Sequence, residues 1–203
     1  MAGLAYPVFV YLHLMLFVFW LGADAGVFLI SRHFRKRDTY DLPQRLALLR
    51  MLVVIDMVPR TAWALMVPVS LAVVALGGWW GAPAWVIALS WGVAAVWLFL
   101  IWDAHLHDDT ARAVRNRRIE LVLKIALAMF YLGLGVISIE TGAPLAVGWL
   151  AWKALLFGLI FVAAIMIDVR FEPDQVGTMQ VWLAANRKPL TETWHYAWRD
   201  YGF

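Results

Sequence analysis

From Pro7 to Ile30 the chain reads PVFVYLHLMLFVFWLGADAGVFLI, and this stretch decides the fold. Its only imidazole is His13 and its only charged residue is Asp24. A helix rises about 1.5 Å per residue, so this run is long enough to cross a bilayer core of roughly 30 Å. An ionisable group at membrane depth is expensive and points to function by default. At about 3.6 residues per turn, His13, Phe17, Trp20 and Asp24 share one face, with His13 and Asp24 about 20° apart. A stripe of that character belongs against other helices rather than lipid.

Working outward, the whole chain carries the same signal. Of its 203 residues 64% are hydrophobic and only 15% charged, with a mean hydropathy of +0.74. A water-soluble domain of this size has no interior large enough to hide so much apolar surface, so an all-α integral membrane bundle is predicted. Five spans are expected, at 7–30, 51–76, 84–102, 119–139 and 148–167, in a single domain covering 1–203. Gly77-Gly78 and Thr141-Gly142-Ala143-Pro144 mark two tight turns, and Pro83 suits the start of the third span. The N-terminus lacks a basic region and its apolar run is too long for a cleaved leader, so the first span reads as retained. There is no cysteine, which excludes disulfides, thiolate-ligated haem and cysteine-held iron–sulfur clusters.

Basic residues set the orientation. Arg32, Arg35, Lys36, Arg37, Arg45 and Arg50 lie between spans one and two, and Arg112, Arg115, Arg117 and Arg118 between three and four. The other two connections have no lysine or arginine, which predicts an outside N-terminus and a cytoplasmic C-terminus in a bacterial-type inner membrane. The net charge of +3 and pI near 9.4 then reflect loops facing anionic lipid, not nucleic acid. Trp79, Trp80, Trp85, Trp149 and Trp152 fit an outer interfacial belt. The tail, 171–203, is read as interfacial. Its Trp194, Trp198 and Tyr201, with Thr191 as N-cap, predict a short amphipathic helix on the cytoplasmic membrane surface or a dock for a partner.

Counting residues by depth separates two polar layers. His13 falls about 9 Å and Lys153 roughly 7 Å below the outer boundary, with Glu140 near the end of span four. The inner layer holds Asp24, Asp56, Arg60 and Lys124. Asp56 and Arg60 are one turn apart, so Asp24, Asp56 and Arg60 are expected to share a network, either a structural staple or the catalytic proton route. Lys124 could balance the second carboxylate, although Glu120, one turn away, competes for it. Lys124 and Asp168 also suit a simple position near the interface, with the lysine snorkelling. Pro59 and Pro68 are candidate kinks in span two, and Gly22 with Gly26 forms a G-x-x-x-G pair.

Histidine geometry limits haem. His33, His105 and His107 lie roughly 20 Å from His13 along the membrane normal, and His195 is in the tail, so no single iron joins His13 to a second histidine. A bis-histidine site would have to lie at the cytoplasmic rim, where the acidic run 103–109 also suits a surface metal. A haem on His13 would be five-coordinate or take Lys153 as its further partner.

Leu12-His13 with Trp20-Leu21-Gly22, and later Trp149-Leu150-Ala151-Trp152-Lys153, resemble the five-helix membrane superfamily of HemJ-type protoporphyrinogen oxidases and copper-resistance D-type proteins. The likeness covers about a quarter of the chain, and Ala151 stands where the HemJ pattern has a second histidine. It implies haem b or porphyrin bound by His13, Lys153, Trp20 and Trp149, with His13 as the metal ligand. The expected activity is porphyrinogen oxidation or electron transfer to quinone or a redox partner protein. Two other classes fit the residues: a non-catalytic anchor or assembly subunit within an oligomer, and a copper or cation pathway.

Overall fold

The computed structural model describes residues 2–34, 36, 39–107 and 110–186, with backbone alone at 2, 3, 42, 167 and 170–186. Thr191, Trp194, His195, Trp198 and Tyr201 of the expected amphipathic tail lie outside the described residues, as do Asp108 and Asp109. Five helices follow one another: α1 (Ala2–Phe34), α2 (Leu42–Leu76), α3 (Ala84–Leu106), α4 (Ala111–Thr141) and α5 (Gly148–Asn186). All five contain a segment long and apolar enough to cross a membrane. The protein is therefore an all-helical, multi-pass membrane protein, in line with the five spans expected.

The helices run beyond the apolar segments because local chemistry supports their polar ends. At the start of α2, the Asp41 carboxylate accepts from the Gln44 amide at 2.9 Å and the Gln44 side chain accepts from the Asp41 amide at 3.0 Å. This reciprocal capping box satisfies two otherwise orphaned donors and starts α2 well before Met51. Thr110 caps α4 by accepting from the Ala113 amide at 3.2 Å. The helix α4 ends at Gly142, whose φ of +71° is left-handed, with its amide bonded to Ser138 O at 3.0 Å. The backbone of α5 remains helical past Ile167 and through Pro173 to Asn186. The backbone of α2 is likewise helical through Pro59 and Pro68, both of them buried.

The chain forms two compact units, one of Met1–Val18 and Arg60–Asp168, the other of Phe19–Pro59 and Val169–Phe203. In the second unit, Arg45 closes the α1–α2 corner. Its Nε donates to Phe34 O at 2.8 Å and its guanidinium lies 5.0 Å from the Phe34 ring centre. His33 Nδ1 is 2.8 Å from the Tyr40 hydroxyl.

In the first unit the pairings give the directions of the helices. Along α4 and α5, Lys124 meets Asp168, Tyr131 stacks on Phe161, and Gly135 meets Leu155, so partners descend α5 as they ascend α4. Those two helices are antiparallel. Along α2 and α4, Trp63 lies beneath Lys124 and Ser70 beside the Tyr131 hydroxyl, so these two run parallel. Two glycines make the α4–α5 approach close: a Cβ on Gly135 would lie 2.6 Å from Leu155 N, and one on Gly158 would lie 2.8 Å from Leu132 N. By contrast Gly22 and Gly26 face open space.

The core is aromatic. Trp63 packs on Phe161 at 4.4 Å and on Trp97 at 5.4 Å between ring centres, and Tyr131 meets Phe157 edge-on at 4.8 Å. Half of the most apolar window of α2 is buried and none of that of α1. The helix α4 shows how the pattern inverts in a bilayer. Its buried stripe is Ala113, Asn116, Glu120, Lys124, Ala128, Tyr131, Gly135 and Ser138, while Ile119, Val122, Ile125 and Met129 are exposed. Lipid solvates the aliphatic face, so the polar face is the one that must turn inward.

Candidate functional site

Three polar constellations stand out, all within the first unit. The most deeply buried is centred on Lys124, whose side chain is only 5% exposed. Its Nζ lies 2.8 Å from Glu120 Oε1, one turn away on α4, and 2.7 Å from Asp168 Oδ2 on α5. The same Glu120 oxygen accepts from Trp97 Nε1 on α3 at 3.2 Å. Trp63 on α2 places its ring 6.0 Å below the ammonium, and Arg60, also on α2, is within electrostatic reach of Glu120. Each ion is therefore paired and hydrogen-bonded, the condition under which buried charge is tolerated.

The sequence pointed to part of this. Glu120 does claim Lys124, through the helical spacing that made it a competitor. Asp168 was read only as interfacial, yet it is the second carboxylate on the lysine. Trp97 was not singled out. The usable signal was the polar stripe of α4, which recurs every three to four residues and names Asn116, Glu120 and Lys124 together.

The second constellation closes the α3–α4 corner around buried Asp103. Its Oδ1 meets Arg112 Nη2 at 2.6 Å and His107 Nδ1 at 3.3 Å, and its Oδ2 accepts from Asn116 Nδ2 at 2.5 Å. Of the acidic 103–109 run, expected as solvated loop or surface metal site, Asp103 turns inward and anchors the connection. Among the described residues no three His, Cys, Asp or Glu side chains gather in a way that could hold a metal ion.

The third constellation joins residues that depth counting had placed together. His13 is half-buried on α1, its Nδ1 is buried without a hydrogen-bond partner among the described residues, and Lys153 of α5 lies within its electrostatic reach. The Lys153 ammonium lies 4.9 Å from the Trp149 ring centre. Trp149 meets Trp79 edge-on at 5.1 Å, and Trp79 meets Tyr6 at 6.1 Å. Lys153 and Trp149 are exposed at the edge of the bundle, whereas Ala151 between them is fully buried. An imidazole nitrogen without a partner among the described residues, a cation and several aromatic faces are thus brought together at one place in the first unit.

The remaining site candidates are distributed differently. Trp20, Asp24 and Asp56 belong to the second unit, and Arg60 to the first. Asp24 is exposed, while Trp20, Asp56 and Arg60 are part-buried, and each makes an interaction with a neighbouring group. His105 packs edge-on against Trp102 at 6.1 Å. No protein-family model matches the chain, and no curated protein or solved structure matches it either.

Proposed function

We propose that this chain is a membrane redox protein of a bacterial-type inner membrane, N-terminus outside and C-terminus cytoplasmic, that binds haem b or a porphyrin near His13 and Lys153. The observation that carries the reading is the orphaned, buried Nδ1 of His13 beside Lys153 and the Trp149–Trp79 pair. A buried polar atom without a partner is rare and calls for a ligand or a functional role. The resemblance of the His13–Trp20 and Trp149–Lys153 segments to HemJ-type oxidases supports the same reading. When bound, the macrocycle would supply one-electron chemistry, suited to porphyrinogen oxidation or electron delivery to quinone.

The chain's own residues have defined tasks in this scheme. His13 would hold the iron, Lys153 would offer charge to a propionate, and Trp149 and Trp79 would offer ring faces to the macrocycle. A copper or cation pathway is less well supported, since no three-ligand cluster occurs among the described residues.

A visible spectrum of the full chain, purified from cells supplied with ample haem, tests the proposal. A Soret band lost or shifted in His13→Ala, and retained in His105→Ala and His107→Ala, is the expected result. Absence of any band in wild type would overturn it and favour an anchor or assembly subunit. A band lost only with His105 or His107 would move the haem to the opposite end of the bundle.

A further inference from the structure

Four side chains form one hydrogen-bonded file from the edge of the first unit into its core. Asp168 is the accessible end, with its side chain 28% exposed. Lys124 and Glu120 follow at 2.7 and 2.8 Å, and the file stops at Trp97, which is 1% exposed. Indole nitrogen is a donor only, so a proton cannot pass from Glu120 to Trp97. Through these four side chains the file runs from Asp168 and ends at Glu120.

A simple staple does not require this arrangement. Glu120 and Lys124 already neutralise each other within one helix, and adding a third ion adds a further desolvation cost. The extra carboxylate connects the buried pair to a partly exposed group. Ionisable groups kept at such cost inside a membrane characteristically serve ion or proton movement.

We propose that Asp168, Lys124 and Glu120 constitute a one-ended proton relay that loads Glu120 from the solution at the Asp168 end. A solution proton binds the Asp168 carboxylate. The Lys124 ammonium passes a proton to Glu120 Oε1, and the amine left behind takes the proton from Asp168 Oδ2. Lys124 and Asp168 recover their starting charges, Glu120 ends as the neutral acid, and no electron moves. One proton has entered and one is stored.

The surrounding charges define what drives loading. The helices packed around Glu120 present Arg60 and Trp63 from α2, Trp97 from α3, Lys124 from α4 and Asp168 from α5. With Arg60, Lys124, Glu120 and Asp168 all ionised the cluster is neutral, and the loaded state carries one excess positive charge. Loading is therefore favoured by the arrival of a negative charge nearby, whether an electron or an anion. This relay stands independently of the porphyrin reading.

The test is time-resolved infrared spectroscopy of the full chain in lipid nanodiscs after an acid pH jump. A protonated-carboxyl stretch should grow in wild type and be missing in Glu120→Gln. Asp168→Asn should slow its growth by about a hundredfold, and loss of that nearby negative charge should move loading to lower pH. Lys124→Arg separates relay from staple, because guanidinium keeps both ion pairs but does not release its proton. It should block or slow loading while the protein retains its helical circular dichroism. Loading at the wild-type rate in Lys124→Arg, or no Glu120 band at any pH where the protein stays folded, would overturn the relay. Should Lys124→Arg fail to accumulate, Asp168→Asn decides alone, and a wild-type rate there refutes the proposal.

Discussion

Gly135 on α4 lies so close to Leu155 on α5 that the glycine has no room for a side chain: a Cβ would stand 2.6 Å from the Leu155 nitrogen. Backbone cannot rotate out of the way as a flexible side chain can. Gly135→Ala should therefore separate the two helices and destabilise the protein by about 1–3 kcal/mol or more, as overpacking does. Gly158→Ala, facing Leu132, should behave alike. Gly22→Ala and Gly26→Ala meet open space, and higher helix propensity should leave stability unchanged or improved by up to about 1 kcal/mol. Thermal unfolding in detergent compares the four. A loss confined to Gly22 or Gly26 would instead reveal an oligomer using that face.

The Asp103 anchor should be worth more than an ordinary loop charge. Asp103→Ala leaves buried Asn116 without its acceptor and Arg112 without its counter-ion. The expected cost is about 1–3 kcal/mol, the range for leaving a buried polar group unsatisfied, since half-exposed Arg112 is screened by solvent. Asp103→Asn should recover part of this, since one oxygen still accepts from Asn116. Equal stability of Asp103→Ala and wild type would show that the corner does not depend on it.

Around Lys124 the energetics should be strongly non-additive. Lys124→Met removes the cation held between two carboxylates, which should cost about 3–5 kcal/mol or prevent accumulation. Combining it with Glu120→Gln and Asp168→Asn removes the stranded charges and should restore most of the yield. A triple variant no better than Lys124→Met would show that Lys124 contributes through packing on Trp63 rather than through its charge.

Orientation is checked with fusion reporters. The arginines of the α1–α2 and α3–α4 connections predict that a reporter after Phe203 reads cytoplasmic and one inserted at Gly81 reads external. The reverse pattern would invert the topology and place His13 and Lys153 on the cytoplasmic side.

Much of this architecture can be read in the sequence because the membrane imposes length and apolarity on each span separately. Residues 84–102 and 148–167 needed no knowledge of their neighbours to be recognised. Depth counting also brought His13 and Lys153 together, since rise per residue is nearly constant in helices. Pairing across helices is another matter. Lys124 could choose Glu120 by spacing within α4, but its second partner depends on the antiparallel register of α4 and α5, which Gly135 and Gly158 set through close contact. Trp97 escaped notice for the same reason: in a chain with 13 tryptophans, hydrogen bonding to a buried carboxylate is visible only once α3 has packed on α4. Asp103 was hidden by its company, as an acidic run beside histidines reads like solvent-facing loop until its side chain is seen to turn inward.

The order of synthesis gives the Glu120–Lys124 spacing a further consequence. The helix α4 leaves the ribosome before α5, so Lys124 reaches the translocon without Asp168. A lone lysine within an inserting segment opposes partitioning into lipid, by up to roughly 3 kcal/mol at its centre. With Glu120 one turn away on the same helix, α4 carries its own counter-ion and can enter the bilayer close to neutral. Asp168 joins only when α5 docks, so the ion cluster is completed after α4 has already entered the bilayer.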